Sequence, residues 1–136
     1  MYSFDDTNRF VKVLALQVPW AHSYADMRPG KTDRERRENF RKAAAENLQA
    51  VPSNVLWWAF RITVCKVGRP LDVDNVAKTI VDSFSASQIG RDKSTFLQLA
   101  LYPDDTFDHV RVLQVIGSRS EVADSTNIEV FACLRD

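Results

Sequence analysis

Residues 72–82 combine three acidic side chains and one lysine in an otherwise apolar stretch. Asp72 and Asp74 stand two positions apart at its start. Lys78 and Asp82 follow at steps of four, which would align them with Asp74 along one side of a helix. Such carboxylates can hold a hard divalent cation such as Mg²⁺, which proteins bind through a few carboxylates and retained water. An ordinary helix start, with Asp72 as N-cap and surface ion pairs at Lys78, explains the same residues.

A second acidic pair, Asp104-Asp105, follows Leu101-Tyr102-Pro103 and precedes a β-like run. This pair could lie in a turn between strands that faces the start of the acidic helix. A third carboxylate would strengthen the case for a cation site there. A plain surface turn is the alternative, since Pro-Asp-Asp is common turn chemistry.

The acidic segment also carries the apolar pattern of an amphipathic helix. At 3.6 residues per turn, one stripe contains Val73, Val76, Ala77, Ile80, Val81 and Phe84. We therefore predict a helix over residues 73–84, with this stripe against the protein core and the charged residues beside it.

The remaining pattern predicts the scaffold that must position this helix. In chain order it contains an irregular leader over 1–9, strands over 10–18, 55–67, 110–116 and 127–134, and a helix over 33–50 that begins with a capping box at Thr32 and Glu35. Trp58, Phe60, Ile62 and Val64 should share one strand face. Residues 89–94 read as a polar loop, and residues 95–102 fit a strand or a short helix equally well. We predict a single α+β domain, with a mixed or antiparallel sheet of about four strands and two main helices.

Composition excludes several classes of protein. A chain of 136 residues with 45% hydrophobic content suits one domain. It has no apolar run of about 18 residues, so we expect a soluble cytoplasmic protein without a membrane partner. The distant Cys65 and Cys133 should be reduced, buried thiols. The scattered glycines form no phosphate loop, so we expect no nucleotide cofactor.

Charge is unevenly distributed although the formal net charge is zero. Residues 1–69 carry 12 basic and 7 acidic side chains, whereas residues 70–136 carry 6 and 11. Seven basic residues fall between Arg28 and Lys42, the densest positive segment of the chain. This segment is either a solvated helix face with local ion pairs or a surface for DNA phosphates.

The acidic residues resemble the core pattern of the RusA-like Holliday junction resolvases. That pattern is Asp-x-Asp-Asn, a lysine three residues after the Asn, an Asp four further on, and a later Asp-Asp after an aromatic-containing segment. The chain supplies its members in that order: Asp72, Asp74, Asn75, Lys78, Asp82, Asp104 and Asp105. Leu16-Gln17-Val18-Pro19-Trp20 also looks like the end of the family's first strand.

The resemblance implies a homodimeric, Mg²⁺-dependent endonuclease of phage or prophage type that cuts branched DNA such as four-way junctions, with Mn²⁺ as a substitute metal. It makes Asp72, Asp74 and Asp105 the metal ligands, and Asp104 a bridging or more distant contributor. Lys78 would contact the scissile phosphate. Asp82 lies about 12 Å along the helix from Asp74, too far for the same metal, and is assigned to orienting Lys78 or to structure. DNA contacts are assigned to Arg28, Lys31, Arg34, Arg37, Arg41 and Arg69.

Two departures from the family leave alternatives open. Residues 83–103 separate Asp82 from Asp104, where the family usually has a much shorter turn. The residues after Asp105 also differ, so Asp108 is a second-choice ligand. The alternatives are a catalytically inactive protein that binds branched DNA, and a nuclease that cuts flaps or forks.

Overall fold

The computed structural model describes residues 2–22 and 31–135, without the side chains of Lys31, Thr32, Val73 and Asp74. Four strands and three helices form within these ranges: β1 (Phe10–Val18), α1 (Lys31–Ala45), β2 (Trp57–Val67), α2 (Val73–Ser83), α3 (Ala86–Arg91), β3 (Val110–Ser120) and β4 (Ser125–Cys133). A 3₁₀ turn, Leu97–Leu99, lies between α3 and β3. Of these helices, none is long and apolar enough to cross a membrane.

The sheet is mixed, with strand order β1-β4-β2-β3. β4 pairs antiparallel with both β1 and β2, whereas β3 pairs parallel with β2. A parallel pair requires a long crossover connection, and residues 68–109 supply it. The predicted single α+β domain with a four-stranded sheet and two main helices is confirmed. The candidate site residues from 72 to 105 all lie inside this one crossover.

The main core lies between one sheet face and the helices. The predicted stripe of α2 is buried at Val76, Ala77, Ile80, Val81 and, at the helix end, Phe84. The predicted strand face is buried as well, at Trp58, Phe60, Ile62 and Val64. These residues join one continuous apolar cluster, because the periods of helix and strand place their apolar side chains on facing surfaces.

The opposite sheet face is covered in part by the leader. Residues 2–9 form turns and irregular backbone, in agreement with the predicted irregular leader. Phe4 stacks on Phe131 with a ring-centroid distance of 4.5 Å, and Tyr2 packs edge-on against Trp57 at 5.2 Å. This second aromatic cluster keeps Trp57 buried. Both cysteines are free; Cys133 is buried, while Cys65 is partly exposed.

Several predicted bounds differ from the structure by one or two residues, and three predicted segments differ more clearly. Helix α1 ends at Ala45, because the chain turns at Asn47 and the Gln49 amide then donates to the Val13 carbonyl of β1. β3 continues to Ser120, since its residues beyond 116 keep pairing with β2. The predicted polar loop over 89–94 overlaps α3 and its end, with Ile89 buried in the core.

Candidate functional site

The long segment between Asp82 and Asp104 begins and ends at neighbouring points. The Leu101 amide donates to the Phe84 carbonyl at 3.0 Å, and the Ala86 amide donates to the Tyr102 carbonyl at 2.8 Å. Ser85 and Tyr102 also form a parallel β-bridge. We call these paired ends the neck. The neck returns the chain to the end of α2, so the length of the segment does not carry Asp105 away from Lys78 and Asp82.

Asp105 consequently meets the charged side of α2. The Lys78 ammonium lies 3.1 Å from a carboxylate oxygen of Asp82 and 3.6 Å from one of Asp105. Side-chain exposure is 46% for Lys78 and 45% for Asp105, against 8% for Asp82. The acidic turn therefore faces the second half of the helix, rather than its start as expected. Lys78, Asp82 and Asp105 form what we call the lysine cluster.

The lysine cluster places the poorly solvated carboxyl group of Asp82 beside the exposed carboxyl group of Asp105. Burial raises the pKa of Asp82, and the nearby Asp105 raises it further, while Lys78 opposes both effects. Burial also raises the pKa of Tyr102 well above its usual value, with smaller contributions from the same two acids. Its hydroxyl donates to the Val81 carbonyl at 2.6 Å, which fixes the ring beneath the cluster. A cation at this position reduces the repulsion between the carboxylates.

The other predicted ligands are placed differently. Asp72 is the extended residue before α2 and is exposed, and its side chain makes no capping bond to the described backbone. The side chain of Asp74 lies outside the described residues, although its position is one helical turn before Lys78. Asp104 accepts a hydrogen bond from the Thr106 amide at 3.1 Å, and hydrogen bonding by Thr106 lowers the pKa of Asp104. Asp104 thus stabilises its own turn, as expected if Asp104-Asp105 is a plain surface turn. Asp108 is exposed.

The oxygen donors suit a hard cation. Among the described residues no group of three or more His, Cys, Asp or Glu side chains forms a metal cluster, a statement that leaves out the side chain of Asp74. Mg²⁺ commonly uses only one or two carboxylates and keeps several waters. The exposed Asp105 can supply one such carboxylate beside Lys78, and acidic positions 72 and 74 lie one to two helical turns before that lysine.

Two of the predicted DNA contacts, Arg37 and Arg41, form ion pairs with Asp92. Arg41 is 0% exposed. Its guanidinium donates to the Ser83 carbonyl at 2.6 Å and to carboxylate oxygens of Glu38 and Asp92, each at 2.9 Å. Arg37 makes a two-pronged contact with Asp92 at 2.7 and 2.8 Å. These bonds join α1 to the last residue of α2 and to the segment beyond it. The burial of Arg41 corrects its assignment to the DNA surface, and Arg37 is mostly committed to Asp92.

Arg37 and Arg41 together compensate the cost of burying the Asp92 carboxylate. Burial would raise the pKa of Asp92, but hydrogen bonds from Arg37 and Arg41 outweigh it and lower the pKa. The sequence held a signal for this arrangement. Arg37 and Arg41 precede Ala44 and Leu48 at steps of four, three and four, which is the spacing of a buried helix face. Asp92, the partner that makes this burial tolerable, fell in the segment read as a polar loop.

The other predicted DNA contacts have mixed placements. Arg34, on α1, and Arg69, just before α2, are exposed. Arg28 lies outside the described residues, as does the side chain of Lys31. The positive surface that the described residues support is therefore smaller than the charge count over residues 28–42 indicated.

A groove opens beside the lysine cluster and was not predicted. Its volume is about 390 Å³, and its lining includes Lys78, Asp105, Phe107, Arg111 and Leu113. Phe107 follows the acidic pair closely, and Arg111 and Leu113 lie on β3, one of the two edge strands of the sheet. An aromatic residue two positions after an Asp-Asp turn was the only sequence signal for this groove.

Comparison with known proteins does not assign the chain to a family. No protein-family model matches it, and no curated protein matches it in sequence. The resemblance to RusA-like resolvases therefore depends on the motif residues themselves.

Proposed function

We propose that this protein is a Mg²⁺-dependent endonuclease that cuts branched DNA, of the type that the RusA-like resemblance implies. The observation that carries the proposal is the lysine cluster. Lys78 lies within 3.6 Å of Asp105 although the two residues belong to different parts of the crossover. Lys78 is an exposed lysine beside an exposed carboxylate, and its helix begins with two further acids. Such groups could bind a scissile phosphate next to a metal ion.

Phosphodiester hydrolysis needs neutralisation of charge, because the anionic diester repels a nucleophile. A bound Mg²⁺, or Mn²⁺ in its place, would supply an activated water and polarise a phosphate oxygen. Asp105, Asp72 and Asp74 are the residues that would hold it. Lys78 would donate hydrogen bonds to the phosphate and stabilise the charge that builds up during attack.

Asp82 is a positioning residue in this proposal. Its carboxylate is largely buried and holds the Lys78 ammonium at 3.1 Å. An anchored ammonium loses less entropy on binding phosphate than a freely rotating one. Asp82 would therefore act through Lys78, without contact with the metal.

A homodimer would complete the activity. Two-fold symmetry repeats one active site on each subunit, and a four-way junction offers two opposed strands of like geometry. Paired nicks across the branch point would leave ends that can be ligated.

The test compares cleavage of a labelled four-way junction with cleavage of a linear duplex of matching sequence, in Mg²⁺ and in EDTA. Lys78→Met should abolish nicking and keep the wild-type unfolding transition. Lys42→Met, which removes an exposed lysine from the last turn of α1, is the matched control and should cut normally.

A second pair of variants tests the metal ligand. Asp105→Asn should lose nicking and keep or tighten junction binding, because the ligand and a local negative charge are both removed. Asp108→Asn changes an exposed acid of the same turn and should remain active. Tight binding of the junction by wild type without nicks would instead identify an inactive binding protein, and preferred cutting of flaps or forks would identify a nuclease of different substrate choice.

A further inference from the structure

The groove beside the lysine cluster has two chemically different parts. Phe107, Val110 and Leu113 provide an apolar wall on the β3 side. Lys78 and Arg111 add two cations, of which Lys78 is paired with Asp105 in the lining and with Asp82 next to it. A pocket of about 390 Å³ falls in the size range of small-molecule sites.

Phe107 is the most unusual member of this lining. Its side chain is 85% exposed, whereas most large apolar side chains of the domain are buried. Exposing an aromatic ring forfeits about 1.5–3 kcal/mol of burial free energy. The ring is thus available to a ligand that covers it.

The backbone holds Phe107 in place. The amides of His109 and Val110 donate to the Thr106 carbonyl at 3.0 and 2.9 Å, which closes the turn around Phe107. The Arg111 guanidinium donates to the Phe107 carbonyl at 3.1 Å. The ring therefore projects from a hydrogen-bonded turn anchored to β3, and little ordering is needed when a ligand binds.

A flat apolar surface flanked by cations matches a nucleotide, which has an apolar base face and an anionic phosphate. Base–aromatic stacking needs no sequence-specific contact, because every base has a π-face. An apolar peptide would cover Phe107 and Leu113 but would carry no anionic group for the charged side of the groove.

We infer that the groove is a subsite for an unstacked nucleobase of the DNA strand whose phosphate reaches Lys78, with Phe107 stacking on the base. Arg111 would contact a neighbouring phosphate. The inference rests on the proposed function, since it takes the ligand to be DNA. It adds a reason for selecting branched DNA: bases at a branch point are already partly unstacked, so removing one from the helix costs less there than in a linear duplex.

The experiment measures binding by fluorescence anisotropy, with Ca²⁺ replacing Mg²⁺ to prevent cleavage. Two four-way junctions are compared, one with normal bases and one with tetrahydrofuran abasic residues at the branch point. Phe107→Ala should weaken binding of the normal junction roughly 5- to 150-fold and leave binding of the abasic junction unchanged. Phe107→Trp should restore the preference for the normal junction.

Leu97→Ala is the matched control. Leu97 is 70% exposed but lies in the 3₁₀ turn, away from the groove lining, so this variant should bind both junctions like wild type. Equal weakening of both junctions by Phe107→Ala, or no weakening, would overturn the base subsite while leaving the nuclease proposal intact. Failure of the wild-type protein to bind the normal junction would overturn both.

Discussion

Replacing Arg41 by methionine should destabilise the fold without acting through DNA. Arg41 is fully buried and donates hydrogen bonds to Ser83, Glu38 and Asp92. Methionine fills much of the same volume but donates none of these bonds. The substitution leaves the Ser83 carbonyl without its arginine donor and leaves Asp92 with one cation in place of two.

The magnitude follows from these contacts. Removing one partner of a buried ion pair typically costs about 3–5 kcal/mol. Arg37 remains in its two-pronged contact with Asp92, so we expect the lower end, about 3 kcal/mol. With a typical urea dependence for a small domain, this loss lowers the unfolding midpoint by about 1–3 M.

Urea unfolding followed by tryptophan fluorescence measures the effect. Arg34→Met, an exposed change on the same helix, is the control and should stay within about 0.5 kcal/mol of wild type. The Asp92→Asn variant and the double variant complete a cycle, in which a coupling above about 1 kcal/mol is expected. A loss below about 1 kcal/mol for Arg41→Met, combined with weaker DNA binding, would refute the interior assignment of this arginine.

Further predictions concern individual contacts. Glu129 has its pKa lowered to about 2, chiefly by a hydrogen bond from Arg61. Its ionised form therefore stabilises the fold above its usual pKa of about 4.5, and this stabilisation is lost as the pH falls towards about 2. Glu129→Gln should flatten the curve of unfolding free energy against pH between these two values. An unchanged curve would contradict the assignment. Tyr102→Phe removes the hydrogen bond to Val81 and should lower the free energy of unfolding by about 1 kcal/mol in urea titrations, whereas an unchanged midpoint would argue against that bond. Phe4→Ala should cost about 1–2 kcal/mol by the same measurement, and a neutral result would mean that the leader does not cover the sheet in solution.

The elements with strong periodicity could be predicted from the sequence. The apolar spacing in α2 and β2 shows which side of each element is buried, because a helix and a strand each repeat their buried side at a fixed interval. Strand order and the parallel pairing of β3 could not be read this way. They depend on which distant edges meet, and local spacing carries no information about that.

The candidate site shows the same division. The spacing of Lys78 and Asp82 predicted their contact, since both lie on one helix. The approach of Asp105 to Lys78 depends on the neck, a set of backbone hydrogen bonds that leaves no mark in side-chain types. The burial of Arg41 was missed because charge counts do not show which way a side chain faces, and its partner Asp92 is 51 residues away.

The neck bears on how such a chain can change over evolutionary time. A segment whose two ends are hydrogen-bonded to each other can lengthen or shorten between them without displacing what precedes or follows it. Insertions there are close to neutral for the geometry of Lys78 and Asp105. Once a residue between those ends, as Asp92 does here, forms ion pairs with arginines on another helix, however, deletion of the segment leaves those arginines without that carboxylate. Such a segment can then change in length but can no longer be lost without destabilising the domain.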